Sequence, residues 1–325
     1  MRRDRAVSRW LIHCADPLGP RRAPPSRPLV EAGQISEFVA RAEYHGVLGA
    51  ILQNFAPFGA DAQSAGPVIQ RARHEARKRH RVQRAFALML QTQADAVMAE
   101  ATGLPATVVK GPAFAQCIYP QPWLRPFTDI DILVAADALE ALERTLMRRG
   151  YRFLEGGAVT RAWGHEQFQP TKFELHLDLV NSAKWRCQLR YEDIAELPQS
   201  SATHLIIAII HGGCTHRFHR LQQVVDICQA ARMVKSAEDE EAFANLAAKT
   251  NSKTLTAASL IFAGRLMADE RCIQLAATVG GGRMAHLASR SLQAAAVTGG
   301  RSRFYPLARI ERNVFRRLIA FGDRV

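Results

Sequence analysis

Length, composition and charge narrow the classes of protein to which this chain could belong. Its 325 residues, 48% of them hydrophobic, are enough to bury one large core or two smaller ones, which excludes disorder as the dominant state. No apolar run of about 18 residues is present, and the start of the chain is too polar for a secretory signal. We therefore expect a cytoplasmic protein without a membrane partner. The six cysteines form no CxxC pair, which argues against a disulfide framework or a structural zinc site.

The net charge of +13 is concentrated at the two ends of the chain. Residues 1–84 hold 15 Lys and Arg against 7 Asp and Glu, and residues 301–325 hold 7 against 2. Such basic ends could attract polyanions, for example RNA or nucleotide phosphates. Arginine richness is also a common compositional bias, and charge alone is a weak sign of nucleic-acid binding. RNA binding is therefore kept as an alternative.

The first hundred residues divide into two predicted regions. Residues 1–34, which include "DPLGPRRAPPSRP", are rich in arginine and proline and predict an irregular basic lead-in. Residues 35–102 predict an N-terminal helical region, with one helix from Ile35 and a long helix from Val68 to Glu100. The first half of the long helix is almost wholly polar. A solvated face explains that charge more readily than contact with RNA.

The middle of the chain changes from helical to mixed patterns. Within residues 103–197, the stretches "PATVVKG", "PFTDIDILV" and "TKFELHLDLV" predict three strands, with a helix between the second and third. Residues 198–325 are helical again and end in a basic amphipathic helix that we expect to pack on the body. The predicted fold is α+β, with a small mixed sheet embedded between N- and C-terminal helical segments.

Two of the predicted strands carry carboxylates on one face. Alternate side chains of a strand share a face, so Asp129 lies with Asp131, and Glu174 lies with His176 and Asp178. If these strands are neighbours, the carboxylates converge, and a divalent cation is the simplest way to hold them together. The alternative is a solvent-facing side of a half-exposed strand. His176 could be a general base, a metal ligand or a hydrogen-bonded part of the site wall.

A candidate phosphate-binding turn precedes the carboxylate strands. One strand ends at Lys110 and Gly111, and a short helix follows, which lets backbone N–H groups face a phosphate. Pro112 suits the first helical position but has no N–H to donate. The amides of Ala113 and Phe114 would have to bind the phosphate instead.

Charged and histidine-rich residues near these motifs allow more than one role. Lys110 and Arg125 suit phosphate binding, although either could instead be a surface charge or pair with Asp129. Asp226 is a lone acid in an apolar helix, and we expect it to cap that helix or to pair with a basic neighbour. The segment "HGGCTHRFH" invites a zinc interpretation, but its spacing fits no standard structural zinc site.

The order of these motifs resembles that of a known family. The stretch "VVKGPAFAQCIYPQPWLRPFTDIDILV" is similar to the signature of an uncharacterised bacterial nucleotidyltransferase family of the polymerase-β-type superfamily. The likeness extends outward to "HGVLGAIL", "FELHLDL" and "HLIIAIIHGG", and so includes parts of both helical flanks.

The resemblance implies a nucleotidyltransferase fold, Mg²⁺ or Mn²⁺, and an NTP, most simply ATP. By position, Asp129 and Asp131 match the family's paired metal ligands, Glu174 its third carboxylate and Gly111 its phosphate-loop glycine. The implied activity moves a nucleoside monophosphate to an acceptor hydroxyl on a small molecule, a protein or RNA.

A second hypothesis comes from a departure at the phosphate turn. Members of the wider superfamily usually carry Gly-Ser or Gly-Gly there, whereas this chain has Gly111-Pro112. That difference favours a catalytically inactive binding or regulatory protein with the same fold, which could be RNA-associated. The presence of all three carboxylates argues against it.

Overall fold

The computed structural model describes residues 2–29, 31–58, 66–167, 171–180, 185–299 and 306–322. A small mixed β-sheet is embedded among helices that precede and follow it along the chain. The α+β class predicted from the sequence is therefore confirmed. The division of the chain into four regions stays a prediction.

The N-terminal part is helical from its second residue. Its helices are α1 (Arg2–Cys14), α2 (Ala32–Tyr44), α3 (Leu48–Asn54) and α4 (Pro67–Glu100). The single helix predicted from Ile35 is divided into α2 and α3, because Gly46 between them adopts a left-handed backbone with φ of 70°. The predicted long helix corresponds to α4, with Pro67 at its start.

The first helix lies in the segment predicted to be irregular. Instead of an irregular structure throughout residues 1–34, the residues Arg2–Cys14 form α1. The reason is an apolar face, since Val7, Leu11 and Cys14 recur at helical spacing and are fully buried. The arginines between them hide this periodicity in the sequence.

A buried aspartate ties the segment after α1 to the C-terminal helices. The carboxylate of Asp16 is 2% exposed and accepts two hydrogen bonds from the guanidinium of Arg232, at 2.8 and 2.6 Å. Arg232 also donates to the carboxylate of Asp269, at 2.6 Å. The N-terminal segment is thus connected to the C-terminal helices by charged groups.

The sheet contains five strands in the order β1-β2-β5-β4-β3. The strands are β1 (Ala106–Val108), β2 (Ile130–Val134), β3 (Tyr151–Gly156), β4 (Thr160–His165) and β5 (Lys172–His176). Only β2 and β5 pair in parallel, and the other neighbours are antiparallel. Helix α5 (Gly111–Cys117) follows β1, and α6 (Leu139–Arg148) connects β2 to β3.

Strands β3 and β4 were not predicted from the sequence. The edge strand β3 buries only its first residue, Tyr151, and exposes the other five. A strand of this kind has no alternation of buried and exposed side chains, which is the signal for a half-buried strand. The other three strands lie where the sequence predicts them.

One face of the sheet packs on α4 and α6. The core at this face includes Ile130, Ile132, Val134, Phe173, Leu175, Leu90, Leu142 and Leu146. The predicted apolar faces of β2 and β5 therefore point to the same core. Leu179 departs from the predicted alternation, because β5 ends at His176 and Leu179 contributes to the helical core instead.

The C-terminal part is an array of helices. They are α7 (Tyr191–Ile194), α8 (Ser201–Ile210), α9 (Leu221–Met233), α10 (Ala237–Lys249), α11 (Lys253–Met267), α12 (Glu270–Val279), α13 (Gly282–Ser291), α14 (Ala294–Thr298) and α15 (Pro306–Gly322). A π-helical turn, His211–Thr215, follows α8 directly. As expected, α15 packs on the body, with Phe315 and Ile319 fully buried. None of the described helices combines the length and apolarity needed to cross a membrane.

Candidate functional site

A cavity of ≈ 360 Å³ lies between the sheet and the C-terminal helices. Its volume falls within the range of about 300–1,000 Å³ that is usual for small-molecule sites. One wall, the sheet wall, is formed by the turn after β1 and by the polar ends of β2 and β5. The facing wall, the helical wall, is formed by the π-helical turn, the loop after it and the start of α9.

The sheet wall brings the predicted carboxylates together. Because β2 and β5 are parallel neighbours, Asp131 lies directly opposite Glu174 in the register. Ligand atoms of Asp131, Glu174 and His176 all lie within 4.8 Å of one another, and Asp129 lines the same cavity. Asp178 lies apart from this group, since its carboxylate accepts the backbone N–H groups of residues 180 and 189.

The carboxylate of Asp131 is buried and already has two partners. It is 2% exposed, which excludes the alternative of a solvent-facing side chain. The ammonium of Lys110 lies 2.7 Å from its Oδ1, and Nε2 of His176 donates to the same oxygen at 2.9 Å. Burial alone would raise the pKa of Asp131, but Lys110 and His176 lower that pKa well below its usual value. Lys110 thus pairs with Asp131, where the sequence suggested Asp129.

Asp129 is short of counter-charge. It is half-buried, and its pKa is raised to about 6, first by burial and then by the negative charges of Asp131 and Glu174, which the positive charges of Lys110 and Arg125 only partly offset. A cation placed beside it would favour its ionised form. The oxygen ligands of Asp129, Asp131 and Glu174 fit Mg²⁺ or Mn²⁺, which prefer carboxylates.

Arg125 forms a buried ion pair with α9 and donates a hydrogen bond to the backbone oxygen of Gly111 at 3.3 Å, so it connects the turn after β1 to α9. Its Nε and Nη2 donate to the two carboxylate oxygens of Asp226, both at 2.9 Å, and the hydroxyl of Tyr119 donates to the same carboxylate at 2.7 Å. Both members of the pair are nearly inaccessible to solvent. Asp226 therefore pairs with a basic residue as expected, but with one that lies 101 positions away. The guanidinium of Arg125 is not free to bind a phosphate in this arrangement.

The turn after β1 requires glycine at its first position. Gly111 has a positive φ of 40°, and a Cβ there would lie 3.0 Å from the backbone oxygen of Asp129. Ala113, predicted to bind phosphate, donates its N–H to the backbone oxygen of Lys110 at 2.8 Å. This turn therefore fits closely against the carboxylate strand, and one of its predicted phosphate donors is occupied.

The helical wall carries three histidines that sequence reasoning did not assign to the site. His211, His216 and His219, from the segment weighed for zinc, all line the cavity. Burial is the main cause that lowers the pKa of His216 to about 3 and of His219 to about 4, and it also lowers the pKa of His211. Their imidazoles are therefore neutral near pH 7. The sequence signal that could have assigned them to the site is the clustering of three histidines directly after an apolar helix.

A comparison with protein families identifies one match. The model of a family described as "uncharacterised nucleotidyltransferase" matches residues 31–268. The match includes the whole sheet and both walls of the cavity, and it ends before α12. No curated protein and no solved structure matches this chain.

Proposed function

This chain belongs to the uncharacterised nucleotidyltransferase family, and we propose that it transfers a nucleoside monophosphate from an NTP, first of all ATP, to an acceptor hydroxyl. The observation that carries this proposal is the position of Asp129, Asp131 and Glu174 on one wall of the cavity. Three carboxylates gathered in a partly buried site suit a divalent cation better than a purely structural role. Such a cation would in turn bind the phosphates of a nucleoside triphosphate.

The residues of the sheet wall divide the work of holding the reactants. Asp129, Asp131 and Glu174 would hold Mg²⁺ or Mn²⁺, and His176 would orient Asp131 through its hydrogen bond. When bound, the cation would neutralise phosphate charge and favour ionisation of the attacking hydroxyl. In the reaction, a bond forms between the acceptor oxygen and the α-phosphorus, the bond to the pyrophosphate leaving group breaks, and the hydroxyl proton passes to solvent water.

A second candidate function is non-catalytic binding, by the same fold, of a partner other than a nucleotide. This candidate is favoured because the two cations expected to bind phosphate already have partners in the protein. Lys110 pairs with Asp131, and Arg125 pairs with Asp226. The N–H of Ala113 is also occupied. A protein that served only as a binding or regulatory module would keep these internal pairs permanently.

Calorimetric titration with ATP, with and without Mg²⁺, distinguishes the two candidates. We expect Mg²⁺-dependent binding by the wild type and none by Asp129→Ala/Asp131→Ala. The matched control is Asp137→Ala, which removes an exposed carboxylate shortly after β2. Absence of binding by the folded wild type with any NTP would overturn the enzyme proposal. An RNA-binding protein would instead show affinity that falls steeply with salt and survives the loss of Asp129.

A further inference from the structure

Three arginines gather at the edge of the helical wall. Arg217 and Arg220 lie between the π-helical turn and α9, and Arg312 lies on α15. His219 and the neighbouring Arg220 both line the cavity, and burial together with the positive charges of all three arginines lowers the pKa of His219. Arg217 also donates to the side chain of Asn313 at 3.1 Å, which places it beside the residue that follows Arg312.

Within the described part of the chain, these guanidiniums contact neutral groups. Arg217 donates to an amide oxygen, Arg220 lies over the ring of Tyr44 with its Cζ 5.5 Å from the ring centroid, and Arg312 donates to the backbone oxygen of Ala296. The arginines of the interior differ, since Arg125 and Arg232 each bind carboxylates. Like charges held together without a carboxylate repel one another.

The acids in this neighbourhood are engaged elsewhere. Glu43, which lines the cavity, accepts a hydrogen bond from Arg79 at 2.8 Å. Glu311 accepts the backbone N–H of Gln293 at 3.3 Å. Neither carboxylate forms an ion pair with the three arginines in the described structure, although the charges of Glu311 and Arg312 act on each other's pKa. The positive charge at the helical wall is therefore only partly balanced by these acids.

The side chain of Arg312 also has a hydrogen-bond donor that is not satisfied. Its Nε lies in a buried position and has no hydrogen-bond acceptor among the residues that the structure describes. Burial, followed by the positive charge of Arg217, lowers the pKa of this guanidinium. Buried donors without acceptors are uncommon in folded proteins, and an anionic ligand would supply the acceptor.

The backbone that carries two of these arginines is unusual as well. Arg217 and Phe218 adopt left-handed conformations with φ of 49° and 55°, directly after a π-helical turn. Both features are costly for ordinary residues and cluster at functional sites. The N-terminus of α9 is not itself the site, because its first two amide groups donate to His45.

We propose that Arg217, Arg220 and Arg312 form an anion-binding site at the edge of the cavity, which binds a phosphate group of the ligand that occupies the cavity. Arg220 lines the cavity directly, and the cations of the sheet wall are committed to internal carboxylates. This inference deepens the proposed function by assigning where phosphate charge is neutralised. The phosphate belongs either to the NTP or to a phosphorylated acceptor.

The test uses inorganic tripolyphosphate in the presence of a chelator, titrated by calorimetry at fixed low salt. We expect Arg220→Gln and Arg312→Gln each to weaken binding by at least about tenfold, because each removes a charge-assisted contact. The matched control is Arg317→Gln, which makes the same charge change at an exposed position of α15. Equal affinities for the two site variants and the control would overturn the proposal.

Further variants keep the result interpretable. Arg220 is exposed, so Arg220→Gln tests the site even if Arg312→Gln lowers the thermal stability. Asp129→Ala/Asp131→Ala should still bind tripolyphosphate without metal, so a failure of the proposed enzyme function is distinguishable from a failure of the anion site. With Mg²⁺ and ATP, weaker binding by Arg220→Gln assigns the phosphate to the NTP. Unchanged binding of ATP, alongside weaker binding of tripolyphosphate, assigns it to the acceptor.

Discussion

The two walls of the cavity differ in whether their positively charged side chains are paired with carboxylates. On the sheet wall, Asp131 is paired with Lys110, and Arg125 at its edge is paired with Asp226. On the helical wall, neutral imidazoles lie beside arginines whose hydrogen bonds and ring contacts, in the described part of the chain, are with neutral groups. The cations of the sheet wall are therefore already paired with carboxylates, whereas those of the helical wall form no ion pair among the described residues.

This difference assigns separate tasks to the two walls. Paired charges fix the geometry of a site, because they hold side chains in place before a ligand arrives. Unpaired charges give affinity, because a ligand gains contacts that the protein does not make by itself. We infer that the sheet wall positions the reacting atoms and that the helical wall selects and holds a charged ligand.

The largest expected effect comes from breaking the buried pair at the edge of the sheet wall. Asp226→Ala should lower the free energy of unfolding by about 3–5 kcal/mol, because it leaves the Arg125 guanidinium buried without counter-charge. Urea unfolding measures this loss. The double variant Arg125→Met/Asp226→Leu should lose much less. A small loss for Asp226→Ala would show that the pair does not anchor the turn.

The next largest effect is a pH dependence that belongs to the helical wall. The folded pKa values of His216 and His219, about 3 and 4, lie below the 6.5 of an unperturbed histidine. The unfolded chain therefore binds more protons below pH 6.5, and stability falls as the pH is lowered toward 4. We expect these two imidazoles to contribute about 2 kcal/mol or more to this loss.

Urea unfolding between pH 7 and 4.5 checks this contribution. His216→Gln/His219→Gln should give a flatter dependence than the wild type over this range. His286→Gln, a change at an exposed imidazole, serves as the control. Identical slopes for the double variant and the wild type would contradict the buried, neutral state of the helical wall.

A third prediction frees a carboxylate of the sheet wall. Lys110→Met removes the ammonium that lies 2.7 Å from Asp131, so a cation no longer competes with it. We expect Mn²⁺ to bind about tenfold more tightly, which corresponds to about 1.4 kcal/mol. Electron paramagnetic resonance titration measures the concentration of free Mn²⁺ and therefore the dissociation constant. Lys235→Met, at an exposed lysine, is the control; a gain of the same size there would refute a specific effect.

The smallest effect concerns the turn beneath the sheet wall. Gly111→Ala should cost about 1 kcal/mol of stability, because an alanine is strained at a φ of 40°. Gly103→Ala is a matched control, since Gly103 also has a positive φ but a Cβ there meets no atom within 4 Å. Only Gly111→Ala should also weaken Mg²⁺-dependent ATP binding, since its new Cβ crowds the backbone of Asp129. Calorimetric titration with ATP and Mg²⁺ measures this affinity for both variants, and equal affinities would contradict the prediction.

Much of the sheet wall could be predicted from the sequence. The alternation in "TDIDILV" and "FELHLDL" determines which side chains share a face, and parallel pairing of β2 with β5 brings Asp131 beside Glu174. The turn at Gly111 was also predictable, because a glycine between a strand and a helix has few other roles. These features depend on residues that are close in sequence or on strand periodicity.

The partners of the charged residues were not predictable. Lys110 could have paired with either aspartate, and the distance of 101 positions between Arg125 and Asp226 leaves no local signal. The arginines of the helical wall meet only through tertiary packing of α15 against the body. A π-helical turn depends on similar long-range contacts, so the histidines in "HGGCTHRFH" could be noticed but not placed.

The ion pairs of Arg232 bear on how this protein could be shortened. Its partners Asp16 and Asp269 both lie outside residues 31–268, the span that matches the family, and Asp269 follows it directly. A fragment trimmed to the matched span would keep the arginine and lose both of its acids, along with the helices that pack around it. We therefore expect a fragment trimmed to the boundaries of family similarity to be less stable than the full chain, because Arg232 would be left without either carboxylate.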